Sequence, residues 1–500
     1  MNYARQLTIE GLAVVVLFIL LFIMAVRVPL DTDVWWHLRS GEYLLDDGSI
    51  LREDIFSHTF NGKEWINHSW GSQVILALAY RLTGGDNDIS GSGTIGLALY
   101  TAILGTAGMG FVYRMCAGNA YSRAFVMVFG AATAAVFWSA RPQMVSFLLS
   151  TIALYLLYLF KREKRDYLWL MPVLMVVWVN LHAGYIIAFI FLLGFMAGEV
   201  VGAILNPADS IGWRGLRKVF IVTVVSVLAL SINPFGPRMI LYPFETAGLQ
   251  TLNLFITEWQ SPDFKNPQTW AFIALLFAII AFASQTTYRV DWSDLSLILG
   301  TALLALWAGR NIAMFAVVAT PVLSRLVDAF LTERGWQIRP MKTVRGVRLL
   351  LNWIFLFVIL LGGLAKIAAD LLPENVEEIQ SEFLPLDALD YLKNNPPKGN
   401  LFNNYNWGGL IIYTLPDVPV FVDGRTDLYG DDFLKKYFRS SLGASDWREP
   451  FEEFDIQSAF LEKESALTTL LREDENWQVV YEDEQSVILE REIGADDASE

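Results

Sequence analysis

A chain of 500 residues that is 54% apolar, with 33 Phe and 17 Trp, is too rich in large apolar side chains for an ordinary water-soluble protein and fits a polytopic membrane protein. Its net charge of −15 is unevenly spread: 30 of the 52 acidic and 10 of the 37 basic residues lie from Asp370 onward, leaving 22 acidic and 27 basic before it. That acidic segment argues against a nucleic-acid partner, and the single cysteine, Cys116, excludes an intrachain disulfide and a thiolate metal site.

The first apolar run, residues 11–30, lacks a small-residue cleavage site and reads as an uncleaved spanning helix. Further runs follow at 94–113, 124–138, 144–160, 167–179, 183–205, 219–232, 269–283, 295–307, 312–323 and 349–364, about eleven spans in all. Several are shorter than the roughly 17 residues a spanning helix needs, so their helices must run on into flanking polar residues. If the N-terminus is cytoplasmic, the inner side holds 17 of the 27 basic residues before Asp370. They include Arg5, Arg114, Arg123, the Lys161–Arg165 cluster and the run from Arg334 to Arg348. The positive-inside rule then places the N-terminus inside and the C-terminus outside.

Two outer loops are long. The first, 31–93, carries candidate helices at 34–45 and 72–82, too short to span and suited to lying along the interface, where Trp35, Trp36, Trp65 and Trp70 would also sit. The second is 233–268. The domain expectation is a transmembrane part over 1–369 and a soluble extracytoplasmic domain over 370–500. In that domain a helix is expected over 385–395, a strand over 418–422, a helix over 431–438 and a hairpin pairing 477–481 with 486–490, with 494–500 disordered. The fold class is therefore a membrane all-α bundle of about eleven helices with a C-terminal α/β or α+β domain.

The chemistry-bearing residues gather on the outer side. Asp31 and Asp33 stand at the mouth of the first span, where an Asp-x-Asp suits either a divalent cation (Mg²⁺ or Mn²⁺) held against a phosphate, or a general base acting on an acceptor hydroxyl. The plainer role is an N-cap for the helix that follows. All four histidines, His37, His58, His68 and His182, fall outside; a polar interface explains them as readily as metal or acid–base work. Arg27, Arg141 and Arg310 lie at outer helix ends against the positive-inside bias. A guanidinium there either snorkels to headgroups, the reading favoured for Arg27, or holds a lipid-linked phosphate by bidentate hydrogen bonds. Glu258 is a loop carboxylate that can join the first-loop site or simply be solvated. In the tail, Asp423, Arg425 and Asp427 either bind an acceptor sugar or form an Arg–Asp network closing a Gly turn. No Walker, Gly-rich phosphate loop or Rossmann fingerprint is present, so nucleotide-driven transport is unsupported.

The string from Asp33 to Glu42 is similar to that of a group of bacterial membrane proteins. So are Phe56-Ser-His-Thr59, Trp65, His68-Ser-Trp70, Ala140-Arg-Pro-Gln143, Asn233-Pro-Phe-Gly236, Glu258-Trp259 and Val422-Asp-Gly-Arg425. Together with the topology, they make the chain resemble the glycosyltransferase-C superfamily, which includes protein mannosyltransferases, oligosaccharyltransferases and enzymes modifying lipid A or surface glycans. The resemblance implies that Asp31 or Asp33 is the catalytic base or a metal ligand, with Glu258 corresponding to an acidic residue of a late outer loop. The tail has no Trp-Trp-Asp motif, which speaks against a peptide acceptor.

The expected function is an integral-membrane glycosyltransferase in a bacterial inner membrane. It would move a sugar from a polyprenyl-phosphate-linked donor to an extracytoplasmic acceptor. The expected catalytic residues are Asp33, Asp31 and Glu258; the expected substrate contacts are Arg141, Arg310, His37, His68 and His182, and Asp31 and Asp33 would hold any Mg²⁺ or Mn²⁺. The alternative is a non-catalytic transporter or assembly subunit. That role needs ionisable residues deep within the spans, and only Glu10 and Glu199 lie near predicted inner ends.

Overall fold

The computed structural model describes residues 7–86, 88–336 and 344–492. The expected disorder at 494–500, Arg5 and part of the basic run after Arg334 lie outside the described residues. The chain divides into two compact units. The first, here the membrane unit, comprises Met1–Arg27, Ala98–Pro243 and Thr257–Asp370; the second, the sheet unit, comprises Val28–Leu97, Phe244–Ile256 and Leu371–Glu500.

Each of the eleven apolar runs is helical. Among the described residues, seven helices are long and apolar enough to cross a membrane. Ile9–Ala25, Leu170–Leu181 and Trp292–Trp307 are shorter apolar helices, and Gly212–Ala229 opens with Arg214, Arg217 and Lys218. The first begins where the Thr8 hydroxyl accepts from Gly11 N at 3.0 Å, a side-chain N-cap. The helix Ile312–Glu333 is the most enclosed of the long spans and lies against Ala120–Ala134, Trp270–Ser284 and Trp292–Trp307. By contrast Val347–Asp370 buries little beyond Leu356 and Gly363, so its apolar face is the part of this unit built for lipid. Close packing depends on small residues. A Cβ at Gly198 would stand 2.3 Å from the Trp292 carbonyl oxygen, so only glycine lets Ile186–Leu205 lie directly on Trp292–Trp307.

A charged cluster lies at the ends of four helices of this unit. Buried Lys161 meets Glu199 at 2.5 Å and Asp291 at 2.8 Å, while Arg162 and Arg325 both meet Asp294, at 2.6 and 2.5 Å. Three cations and three carboxylates thus cross-link four helices and neutralise each other.

The sheet unit is built on four strands, β1 (Asn400–Asn403), β2 (Ile456–Glu462), β3 (Trp477–Glu482) and β4 (Ser486–Arg491), in the order β1-β2-β4-β3. β1 and β2 pair in parallel, which requires a crossover, and the helices Gly408–Thr414, Thr426–Ser441 and Glu449–Glu453 lie along it. β3 and β4 form the expected antiparallel hairpin. The expected strand over 418–422 is not a member of the sheet. Its Val420, Phe421 and Val422 are fully buried, but Val420 makes only an isolated parallel bridge, to Ser57.

The segment Val28–Leu97 is an integral layer of this unit. Trp35, Trp36 and Trp65, expected as interface anchors, are at most 4% exposed, and Trp35 packs on Tyr413 at 5.3 Å between ring centroids. The loop backbone is tied to the tail by bonds from His58 N to the Val420 carbonyl and from Val420 N to the Phe56 carbonyl. The wholly buried Gln380 amide donates to the Pro29 and Ile89 carbonyls and accepts from Ser90 Oγ. Residues 244–256 join the same unit because Asp431 accepts from Gln250 N and Thr251 N, capping Gln250–Phe255, and Phe255 stacks on Phe438 at 4.4 Å.

Candidate functional site

In the membrane unit, three expected site residues come together at helix ends. Arg141 immediately precedes Pro142, where the helix Gln143–Arg162 starts. Arg310 lies in the 3₁₀ turn Gly309–Asn311 that feeds Ile312–Glu333, and Glu258 in the turn Thr257–Trp259. The two turns are joined by Gly309 N donating to the Gln260 carbonyl at 2.9 Å. That bond fixes Glu258 beside Arg310: Arg310 Nη1 is 3.7 Å from Glu258 Oε1, and Arg141 Nη1 is 3.7 Å from Glu258 Oε2. Each carboxylate oxygen therefore faces one guanidinium. The Arg310 guanidinium also lies 4.0 Å over the Trp259 ring, which limits how it can turn.

These ion pairs are longer than the 2.7–2.9 Å of a direct charge-assisted hydrogen bond. A phosphate inserted between the arginines would find guanidinium donors from two sides.

His182 belongs to the same unit but serves a different local structure. Ser146 Oγ accepts from Trp178 Nε1 at 2.7 Å and lies 2.7 Å from His182 Nδ1, which also accepts from Gly184 N. With Gly184 N and the Ser146 hydroxyl both donating to Nδ1, the neutral ring carries its proton on Nε2. Arg27 donates from Nη1 to the Ala135 carbonyl at 2.9 Å.

In the sheet unit, Asp31 and Asp33 open the helix Asp33–Asp47. Asp31 Oδ1 accepts from Asp33 N at 3.2 Å, and Asp33 Oδ1 accepts from Trp36 Nε1 at 3.1 Å. Both carboxylates are half-buried, so the capping role is real and coexists with an accessible position. Across from them runs the turn Asp423-Gly424-Arg425. A Cβ at Gly424 would stand 1.9 Å from Asp33 Oδ1, so this turn defines where the Asp33 carboxylate can be. Gly424→Ala is accordingly expected to destabilise the sheet unit by about 1–3 kcal/mol, the usual cost of overpacking. The check is the unfolding midpoint of the full chain; an unchanged midpoint would mean that Asp33 moves aside freely.

Asp423 and Arg425 form the network anticipated as one of two readings and do not face a sugar. Both are at most 1% exposed. Arg425 donates from Nε and Nη2 to Asp423 at 2.8 and 2.6 Å, and from Nη1 to Asp54 at 2.6 Å. Tyr429 Oη donates to Asp423 at 2.8 Å, and the Phe56 and Ser57 amides donate to Asp54. Burial alone would lower the Arg425 pKa, but Asp423 and Asp54 beside it push it well above the ordinary arginine value. Asp427 accepts from Trp65 Nε1 at 3.2 Å. Asp54 was not singled out in the sequence, and a lone aspartate in a loop carries no local signal that its partner lies more than 370 positions later.

His37 is 4% exposed, stacked on Trp36 at 3.5 Å, with Nδ1 accepting from Gln73 Nε2, whose Oε1 accepts from Asn67. It links the helices Asp33–Asp47 and Trp70–Leu82. His68 is half-buried in the turn that leads into the second of these. His58 Nε2 lies 3.1 Å from the Leu401 carbonyl; burial pushes its pKa down, partly offset by that bond. Among the described residues, no group of three or more His, Cys, Asp or Glu side chains is arranged to hold a metal ion. Asp31 and Asp33 therefore do not belong to an all-protein cation cage; a Mg²⁺ there would take most of its ligands from water and phosphate.

No protein-family profile matches the sequence, and no curated protein is significantly similar to it. Its structure is similar to that of archaeal oligosaccharyltransferase AglB from Archaeoglobus fulgidus in complex with an inhibitory peptide and a dolichol-phosphate. The TM-score is 0.57 at 12% identity, over 90% of this chain and 69% of that one. The apo form of the Archaeoglobus fulgidus oligosaccharyltransferase gives 0.57 at 11% identity, over 93% and 70%. ArnT from Cupriavidus metallidurans bound to undecaprenyl phosphate gives 0.48 at 13% identity, over 96% of each chain. At such identities the likeness is one of fold. The chain thus shares its fold with an archaeal oligosaccharyltransferase, and among its described residues seven helices are long and apolar enough to cross a membrane.

Proposed function

We propose that the protein is a glycosyltransferase that takes a sugar from a polyprenyl-phosphate-linked donor and passes it to an acceptor hydroxyl outside the cytoplasm. The observation that carries this reading is the Arg141–Glu258–Arg310 cluster: two guanidiniums at helix ends, one of them seated over Trp259, each 3.7 Å from the Glu258 carboxylate. This is the charge pattern a lipid-linked phosphate needs as a leaving group, because its negative charge grows as the sugar–oxygen bond breaks. The fold shared with a protein crystallised with dolichol-phosphate supports the same reading.

In this mechanism the donor phosphate binds between Arg141 and Arg310, and Glu258 gives way to it. The residue proposed to take the proton of the acceptor hydroxyl is Asp33 first and Asp31 second, on residue type and position in the sequence. The hydroxyl oxygen attacks the sugar carbon from the side opposite the phosphate and inverts it, as in inverting glycosidases with a hydroxyl in place of water. The orientation is N-terminus cytoplasmic and sheet unit outside, in a bacterial inner membrane, following the bias of basic residues.

The test uses full-length protein in liposomes with a panel of polyprenyl-phosphate sugars. Replacing Arg310 or Arg141 with Gln removes a charge-assisted hydrogen bond of about 1.5–3 kcal/mol and should lower kcat/KM for the donor about tenfold or more. Arg310→Lys should restore little, since an ammonium supplies neither the fork nor the stacked plane over Trp259. Wild-type kcat/KM for the donor in the Gln variants would remove the phosphate role from these residues.

A further inference from the structure

The sheet unit contains a cleft of about 280 Å³ that the proposed reaction does not use. This volume is at the small end of ligand pockets, the size for one ring and its substituents. One wall is a single face of the helix Asp33–Asp47: Arg39, Glu42, Tyr43, Asp46 and Asp47 recur at helical spacing and all line the cleft. The opposite wall is apolar, formed by Phe56, Ile412 and the prolines Pro416 and Pro419.

Three carboxylates of the polar wall, Glu42, Asp46 and Asp47, stand against two guanidiniums, Arg39 and Arg81, so most of the charge is paired and one negative charge is left. Asp46 receives both Nη groups of Arg81 at 2.8 and 2.7 Å, and Glu42 lies between Arg39 at 3.8 Å and Arg81 at 3.9 Å. Asp47 accepts from the Ser49 hydroxyl. Such a wall offers donors and acceptors side by side, which suits hydroxyl groups better than a strongly charged ligand. The Glu42 side chain is only 9% exposed, yet both its arginines stand beyond hydrogen-bond reach. A buried carboxylate short of donors is costly, and a ligand hydroxyl that donates to it recovers that cost. Burial also pushes its pKa up, the direction expected of such a group.

We propose that this cleft binds one sugar residue of a neutral glycan, with ring hydroxyls on Glu42, Asp47 and Arg39 and the apolar sugar face on Phe56 and the prolines. The site recognises a saccharide on its own and does not rest on the transfer reaction. A chain that binds glycosides and transfers nothing would refute the enzyme and keep the cleft.

The experiment is calorimetric titration of the full-length protein in lipid nanodiscs free of glycoside detergent, without any lipid-linked donor. The probes are the methyl glycosides of glucose, galactose, mannose and N-acetylglucosamine, with glucuronate and a Pro/Arg-rich peptide as comparators. At least one neutral glycoside should bind saturably, and Glu42→Gln should weaken it tenfold or more. Asp47→Asn, at the exposed end of the helix where folding is not at stake, should weaken it several-fold. Slowed amide exchange over 39–47 in the presence of the bound glycoside would locate it. Failure of all four glycosides to bind, equal binding by both variants, or binding of the peptide alone would overturn the proposal.

Discussion

Asp33→Asn is expected to abolish sugar transfer while leaving the fold intact. The substitution keeps an oxygen that can accept from Trp36 Nε1, keeps the volume set by Gly424, and keeps a residue that suits the start of a helix. What it removes is the ability to take a proton, and a positioned general base contributes about 10²–10⁴-fold to a rate. The loss should fall on kcat with donor KM little changed. Asp31→Asn is expected to act more weakly, because the Asp31 carboxylate also holds the Asp33 amide. The measurement is single-turnover transfer in liposomes beside an unfolding curve of the same preparation. Full activity in Asp33→Asn would assign the base elsewhere, with Asp31 next in line.

Arg425→Leu should have the largest effect on stability. It leaves Asp423 and Asp54, both without solvent exposure, facing each other with no cation between them. Removing one partner of a buried pair costs about 3–5 kcal/mol. Because Arg425 joins the first outer loop to the tail, the loss should appear as faster amide exchange across both 50–66 and 420–440 in the full chain. Arg425→Lys should recover part of it, since an ammonium replaces the charge but cannot bond Asp423 through two nitrogens and Asp54 through a third. A Leu variant with unchanged exchange would show that the two aspartates take up protons or water at no cost.

The helices were legible because their signal is local. Eleven runs of apolar residues carry the information that backbone groups must bond within the segment in lipid, and nothing distant can alter it. The β3–β4 hairpin was legible for the same reason: its two strands adjoin in sequence. By contrast β1 has four residues and β2 lacks clean alternation, and each exists because it pairs with a partner more than fifty positions away. The run 418–422 has the composition of a strand, yet it makes only an isolated bridge from Val420 to Ser57 and does not join the sheet, although β1 is an edge strand.

The same division holds for the candidate site. Asp31, Asp33, Arg141, Glu258 and Arg310 could be named from residue type and position at helix ends, since charge at a membrane boundary needs a reason wherever it occurs. That Arg141 and Arg310 share Glu258, that His37 is a core residue bonded to Gln73, and that Arg425 meets Asp54 were decided by tertiary structure. Each pairing spans tens to hundreds of residues, and its energy comes from excluding water around groups that sequence spacing cannot bring together. By itself the sequence determined the spans, the uneven charge and the chemical types available at the outer loops. Only the tertiary structure decided which of those groups face one another, because burial and hydrogen-bond partners are properties of the packed chain.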